Sequence, residues 1–95
     1  MNELNEDPAA RASRYITTLK ATLQRAKART GDSGVRAVNI LRVLDATQRY
    51  LQDSQHYLKE GRDTTALASV AYAEGLLDAL FFLELAQHEQ PSKDN

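Results

Sequence analysis

Apolar side chains recur with a helical period in three long segments of this chain, separated by two clusters of turn residues, Thr30-Gly31-Asp32-Ser33-Gly34 and Gly61-Arg62-Asp63. In the first segment Ala12, Tyr15, Ile16, Leu19, Leu23 and Ala26 share one face. Asp7 followed by Pro8 reads as a helix cap and a proline at the first helical position, so the spacing predicts an amphipathic helix over 8–29. In the second segment, 35–60, Ile40, Leu44, Leu51 and Leu58 form a narrow stripe widened by Ala37, Leu41 and Thr47. Asp32 or Ser33 can cap it, and Gly61 stands where a residue with positive φ closes a helix. The seven-residue spacing of Leu44, Leu51 and Leu58 suits near-antiparallel helix packing.

The third segment, predicted helical over 64–89 behind an Asp63 cap and ahead of Pro91, is apolar on nearly every side. Ala66, Val70, Ala73, Leu77, Leu80 and Phe81 make one face. Leu76 and Leu83 extend it on one flank, Leu67 and Leu85 on the other. Ala68, Ala71, Gly75, Ala79 and Phe82 form a stripe of mostly small residues opposite. Three helices of similar length joined by short turns must run up-down-up. The expectation is therefore an all-α, up-down-up three-helix bundle in one domain spanning 1–95, with helix three as its spine and short disordered tails. A membrane span over segment three is disfavoured by Glu74, Asp78 and Glu84. Each charge near a membrane centre costs about 2.5–3.5 kcal/mol, and a large apolar residue returns only about 0.3–0.6.

Composition narrows the chemistry. The 95 residues are 42% hydrophobic and 26% charged, with no Cys and no Trp. Without Cys there are no disulfides, thiolate zinc sites, iron–sulfur clusters or thiol nucleophiles, and no residue pattern calls for a cofactor. Twelve basic against thirteen acidic side chains give a net charge of −1, with no general pull toward nucleic acid or an anionic membrane. The start, MNELNEDPAA, shows no basic stretch followed by an apolar one, so a cytoplasmic location is the expectation.

From Tyr50 to Leu85 several tyrosine, glycine and aspartate positions fall in register: Tyr50-Leu51-x-Asp53-Ser54, Tyr57-Leu58-x-x-Gly61, Ala66-Leu67-Ala68 and Tyr72-Ala73-x-Gly75-x-Leu77-Asp78-Ala79. This stretch resembles the family of small archaeal proteins known as domain of unknown function 357. The first helix suits that family in length and polarity. The resemblance implies a three-helix bundle and an archaeal origin, and it supplies no enzymatic activity.

Five groups are candidates for function. Tyr50, Asp53 and Tyr57 lie on one flank of helix two, and folding helix three back brings Tyr72 opposite Asp53; with Asp78 these residues define a candidate polar pocket. The alternative is that the phenols satisfy themselves on Asp53. Glu74 and Asp78, with Asp45 across the helix pair, form an acidic cluster that can be read as a metal or acid–base site, although no Glu-x-x-His pair is present and Arg42 and Arg49 can neutralise it. His56 and His88 read as surface residues, the second in the last turn of helix three. The stripe Ala68, Ala71, Gly75, Ala79 and Phe82 is a candidate interface if helices one and two leave it uncovered. Arg11, Arg14, Lys20, Arg25, Lys27, Arg29 and Arg36 make helix one and its loop basic against an acidic helix three. These observations favour a non-enzymatic protein-interaction module that self-associates through helix three. The alternative is a nucleic-acid or nucleotide-binding helical module using the basic first helix. A homo-oligomer or another protein is the expected partner, and a membrane is not.

Overall fold

In a computed structural model, residues 6–29 and 35–88 are described. Three helices run α1 (Pro8–Arg25), α2 (Val35–Lys59) and α3 (Asp63–Phe82). The fold is an all-α three-helix bundle in which α3 packs against both other helices and most extensively against α2. The short connections and these contacts fit the up-down-up arrangement. Two three-residue strands, β1 (Ala26–Ala28) and β2 (Ala86–His88), pair antiparallel with Ala26 opposite His88 and Ala28 opposite Ala86.

The helix boundaries follow from local chemistry. Asp7 is extended, at φ −73° and ψ 163°, and its Oδ1 accepts the Ala10 N–H at 2.7 Å. That satisfies one of the donors left free in a first helical turn. Gly61, at φ 79°, closes α2: Arg62 N–H donates to the Tyr57 carbonyl at 2.9 Å and Gly61 N–H to the Leu58 carbonyl at 3.1 Å. This is the Schellman pattern. Arg62 then lies over the Tyr57 ring, 4.7 Å from its centroid, so a cation–π contact stands where that motif usually has a hydrophobic one. The caps expected at Asp32 or Ser33, and the tails beyond residues 6 and 88, lie outside the described residues.

Three expectations about the helix ends need correction. Helix one ends at Arg25, not Arg29, because Ala26–Ala28 leave the helix to pair with β2. Asp63 does not cap α3: it is the first helical residue, and Arg62 holds the cap position without a side-chain hydrogen bond. The Asp63 carboxylate still favours the positive end of the helix dipole. Helix three ends at Phe82, not near Glu89. Its C-terminus repeats the Schellman pattern with Glu84 at φ 60° in the place of glycine. Leu85 N–H reaches the Leu80 carbonyl at 2.8 Å and Glu84 N–H the Phe81 carbonyl at 3.0 Å. The chain then turns back, and Arg29 N–H donates to the Leu85 carbonyl at 3.1 Å as the ribbon begins.

The core is built from Ala12, Ile16 and Leu19 of α1, Ile40 and Leu51 of α2, Ala66, Val70, Ala73, Leu77 and Leu80 of α3, and Ala86 of β2. Two polar side chains are buried with them. Thr47 Oγ1 bonds the Val43 carbonyl at 2.8 Å and Ser54 Oγ the Leu51 carbonyl at 2.7 Å, so neither hydroxyl is left without a partner. Leu41, expected to widen the buried stripe of α2, is instead 57% exposed. Helix α3 is long and apolar enough to cross a membrane by length and composition alone, with a mean hydropathy of 1.3. Only 28% of that stretch is buried here, and ten of the twenty α3 residues are exposed.

Candidate functional site

The α2–α3 register assembles part of the predicted polar pocket. Tyr50 and Tyr72 meet edge to face, with ring centroids 4.7 Å apart and planes at 72°. Ser69 Oγ donates to the Tyr50 carbonyl at 3.0 Å and fixes the same register through the backbone. Arg49, Tyr50, Asp53, Tyr72 and Leu76 line a cleft of about 430 Å³. The rings are joined by their quadrupoles; among the described residues no hydrogen bond links a phenol to Asp53. Tyr57 and Asp78 do not line this cleft. Tyr57 belongs to the α2 terminus, between Arg62 and His56, while Asp78 stands exposed on α3.

The acidic group is dispersed. Asp45 pairs with Arg49 one turn along α2, Nε to Oδ2 at 3.2 Å, with both side chains largely exposed. Among the described residues no three His, Asp or Glu side chains come together to hold a metal ion. The histidines also part company. His56 Nε2 lies 2.9 Å from Glu60 Oε2, an exposed i, i+4 pair, and borders a polar cleft between α1 and α2. His88 is not in a helix: it lies on β2 and stacks on Phe81 at 4.3 Å and 17°.

At the N-terminus Glu6 receives Arg14 through two hydrogen bonds, from Nη2 at 2.8 Å and Nε at 3.2 Å, and lies 3.7 Å from Arg11 Nε. The Arg14 hydrogen bonds, helped by the charges of Arg14 and Arg11, hold the Glu6 carboxyl below the usual carboxylate value. Part of the basic face of α1 is thus already engaged, and Arg29 lies 3.9 Å from Glu84. Lys20, Arg25 and Lys27 remain exposed.

The small-residue stripe is uncovered. Ala68, Ala71, Gly75, Ala79 and Phe82 are all exposed, Phe82 at 83%. A Cβ placed on Gly75 would meet nothing within 4 Å, so no close approach inside this chain explains the glycine. Beside the stripe lies a feature the sequence did not signal. A groove of about 630 Å³ opens between the start of α2 and the end of α3, lined chiefly by Ile40, Val43, Leu76, Leu80, Leu83 and Leu85. Leu85 reaches this groove because the chain reverses at Glu84, and a glutamate in a glycine's place gave no warning of the turn.

Fold and surface together define a small helical bundle closed by a two-stranded ribbon, with an uncovered apolar face on its central helix. The chain belongs to the family described as "Protein of unknown function (DUF357)", which matches residues 14–86. That span holds the Tyr50–Tyr72 cleft, the groove and the exposed stripe. No curated protein and no solved structure matches the chain.

Proposed function

We propose that this protein is a non-enzymatic interaction module that self-associates through α3. The carrying observation is the uncovered stripe Ala68, Ala71, Gly75, Ala79 and Phe82 on a helix whose other face forms the core. A glycine in mid-helix costs about 1 kcal/mol relative to alanine. Gly75 makes no return on that cost within one protomer, because nothing lies where its Cβ would be. A flat strip of small residues beside an exposed aromatic ring suits a second backbone approaching from outside. The test is sedimentation equilibrium through the micromolar range, on the wild-type chain and on Phe82→Glu. The wild type should gain mass with concentration and the variant should not; a wild type that stays strictly monomeric would end this reading.

A second reading is binding of nucleic acid or a nucleotide on α1. It draws on the four basic and no acidic side chains within Pro8–Arg25, and on the exposed Lys20, Arg25 and Lys27. Its affinity must fall steeply with added salt, whereas apolar self-association should hold or strengthen.

A further inference from the structure

We infer that the occupant of the α2–α3 groove is Phe82 of a second copy of this chain, in a two-fold dimer whose α3 helices run parallel. The inference rests on the self-association proposed above and specifies its geometry. Two observations carry it.

The first is a knob beside a hole. Phe82 is 83% exposed, while Ile40, Val43, Leu76, Leu80 and Leu83 line an open groove on the adjoining surface. On the helix, Phe82 and Leu76 lie three residues to either side of Ala79, so Ala79 separates the ring from the groove by about equal angles. A two-fold axis over Ala79 and along the bundle would carry each Phe82 onto the partner's groove, with Gly75 and Ala79 letting the backbones close up. An isologous contact needs such a self-complementary patch.

The second is charge. The register that sets Tyr50 against Tyr72 places Val43 and Ala79 in one groove. Arg42 therefore lies near the level of Asp78, and Arg49 near that of Glu74. The two arginines border the patch on α2 and the two acids border it on α3; all four are exposed. Among the described residues Arg42, Glu74 and Asp78 have no ion pair, and Arg49 has only the exposed Asp45. A two-fold axis along the bundle sets the arginine border of one copy against the acidic border of the other. An axis across it would set like charges together, which opposes association. Within a single protomer these borders lie on opposite sides of the patch.

The experiment measures the dimer dissociation constant by sedimentation for wild type, Phe82→Ala, Arg42→Asp, Asp78→Arg and the double exchange Arg42→Asp with Asp78→Arg. All these side chains are exposed, so circular dichroism should show an unchanged fold. Phe82→Ala should weaken the dimer about thirtyfold, as loss of a central aromatic anchor does. Each single charge reversal should weaken it, and the double exchange should restore it. A dimer that ignores Phe82, or that the double exchange fails to rescue, overturns this geometry while self-association stands. A strict monomer overturns both.

Discussion

Glu84 holds the left-handed conformation that most residues avoid, at φ 60°, because the Schellman turn after α3 requires it. For a residue with a Cβ that conformation costs on the order of 1–2 kcal/mol. Glu84→Gly should therefore stabilise the fold by about 0.5–1 kcal/mol, since glycine recovers only part of the strain after its own entropy cost. The substitution also removes the ion pair with Arg29, which at 3.9 Å and in solvent weighs little in the balance. Urea unfolding of the two proteins checks this, and a destabilised variant would show that Glu84 has a second role. Glu6 makes a prediction about acid. Its folded pKa lies below the unfolded value, so the stability it adds is present above the usual carboxylate range and is lost as the pH falls through its folded value. Glu6→Gln should be less stable than wild type at neutral pH and match it at low pH, with the difference confined to that window.

At the scale of the element, α3 serves two surfaces. Its inward face, Ala66, Val70, Ala73, Leu77 and Leu80, is nearly inaccessible, and its outward side carries the stripe Ala68, Ala71, Gly75, Ala79 and Phe82 beside the exposed Tyr72, Glu74 and Asp78. Leu77→Ala should cost about 2–5 kcal/mol, because a fully buried leucine leaves a cavity the helices cannot close. Gly75→Ala should raise stability by about 1 kcal/mol in dilute solution, where no second chain contests the space. Denaturation below the association range measures both. The period of α3 was legible as a core face with an opposite stripe, and burial follows it closely. Its end was not legible. The sequence carries a clear stop at Gly61 because glycine marks the left-handed position, and none at Glu84 because the same turn is made there by a residue that does not advertise it. The sequence reading sets Tyr57 and Asp78 in one pocket with Tyr50, but Tyr57 is drawn off by Arg62, and Asp78 faces solvent away from the cleft.

At the scale of the whole molecule, the ribbon ties the segment after α1 to the segment after α3. Ala86 packs into the core and β2 pairs with the residues just after α1, so α1 is held at its C-terminus by the segment that follows α3. Ending the chain after Glu84 should lower the melting temperature and speed amide exchange across 26–29. Unchanged exchange there would mean that the helices alone hold α1. The proposed two-fold dimer belongs to this scale too: the borders of opposite charge that it would join lie on different helices, and only packing sets them at matching levels.

By itself the sequence determined the three helices, their order, the α1 cap and the turn at Gly61. Each of these depends on side-chain periodicity or on one residue with a strong local preference. Tertiary structure alone decided which faces remain open. Whether the stripe on α3 is covered depends on where α1 and α2 settle, and the groove is lined jointly by the start of α2 and the end of α3, with Leu85 returned to it by the reversal at Glu84. Those are contacts between residues far apart in the chain, and no local pattern encodes them.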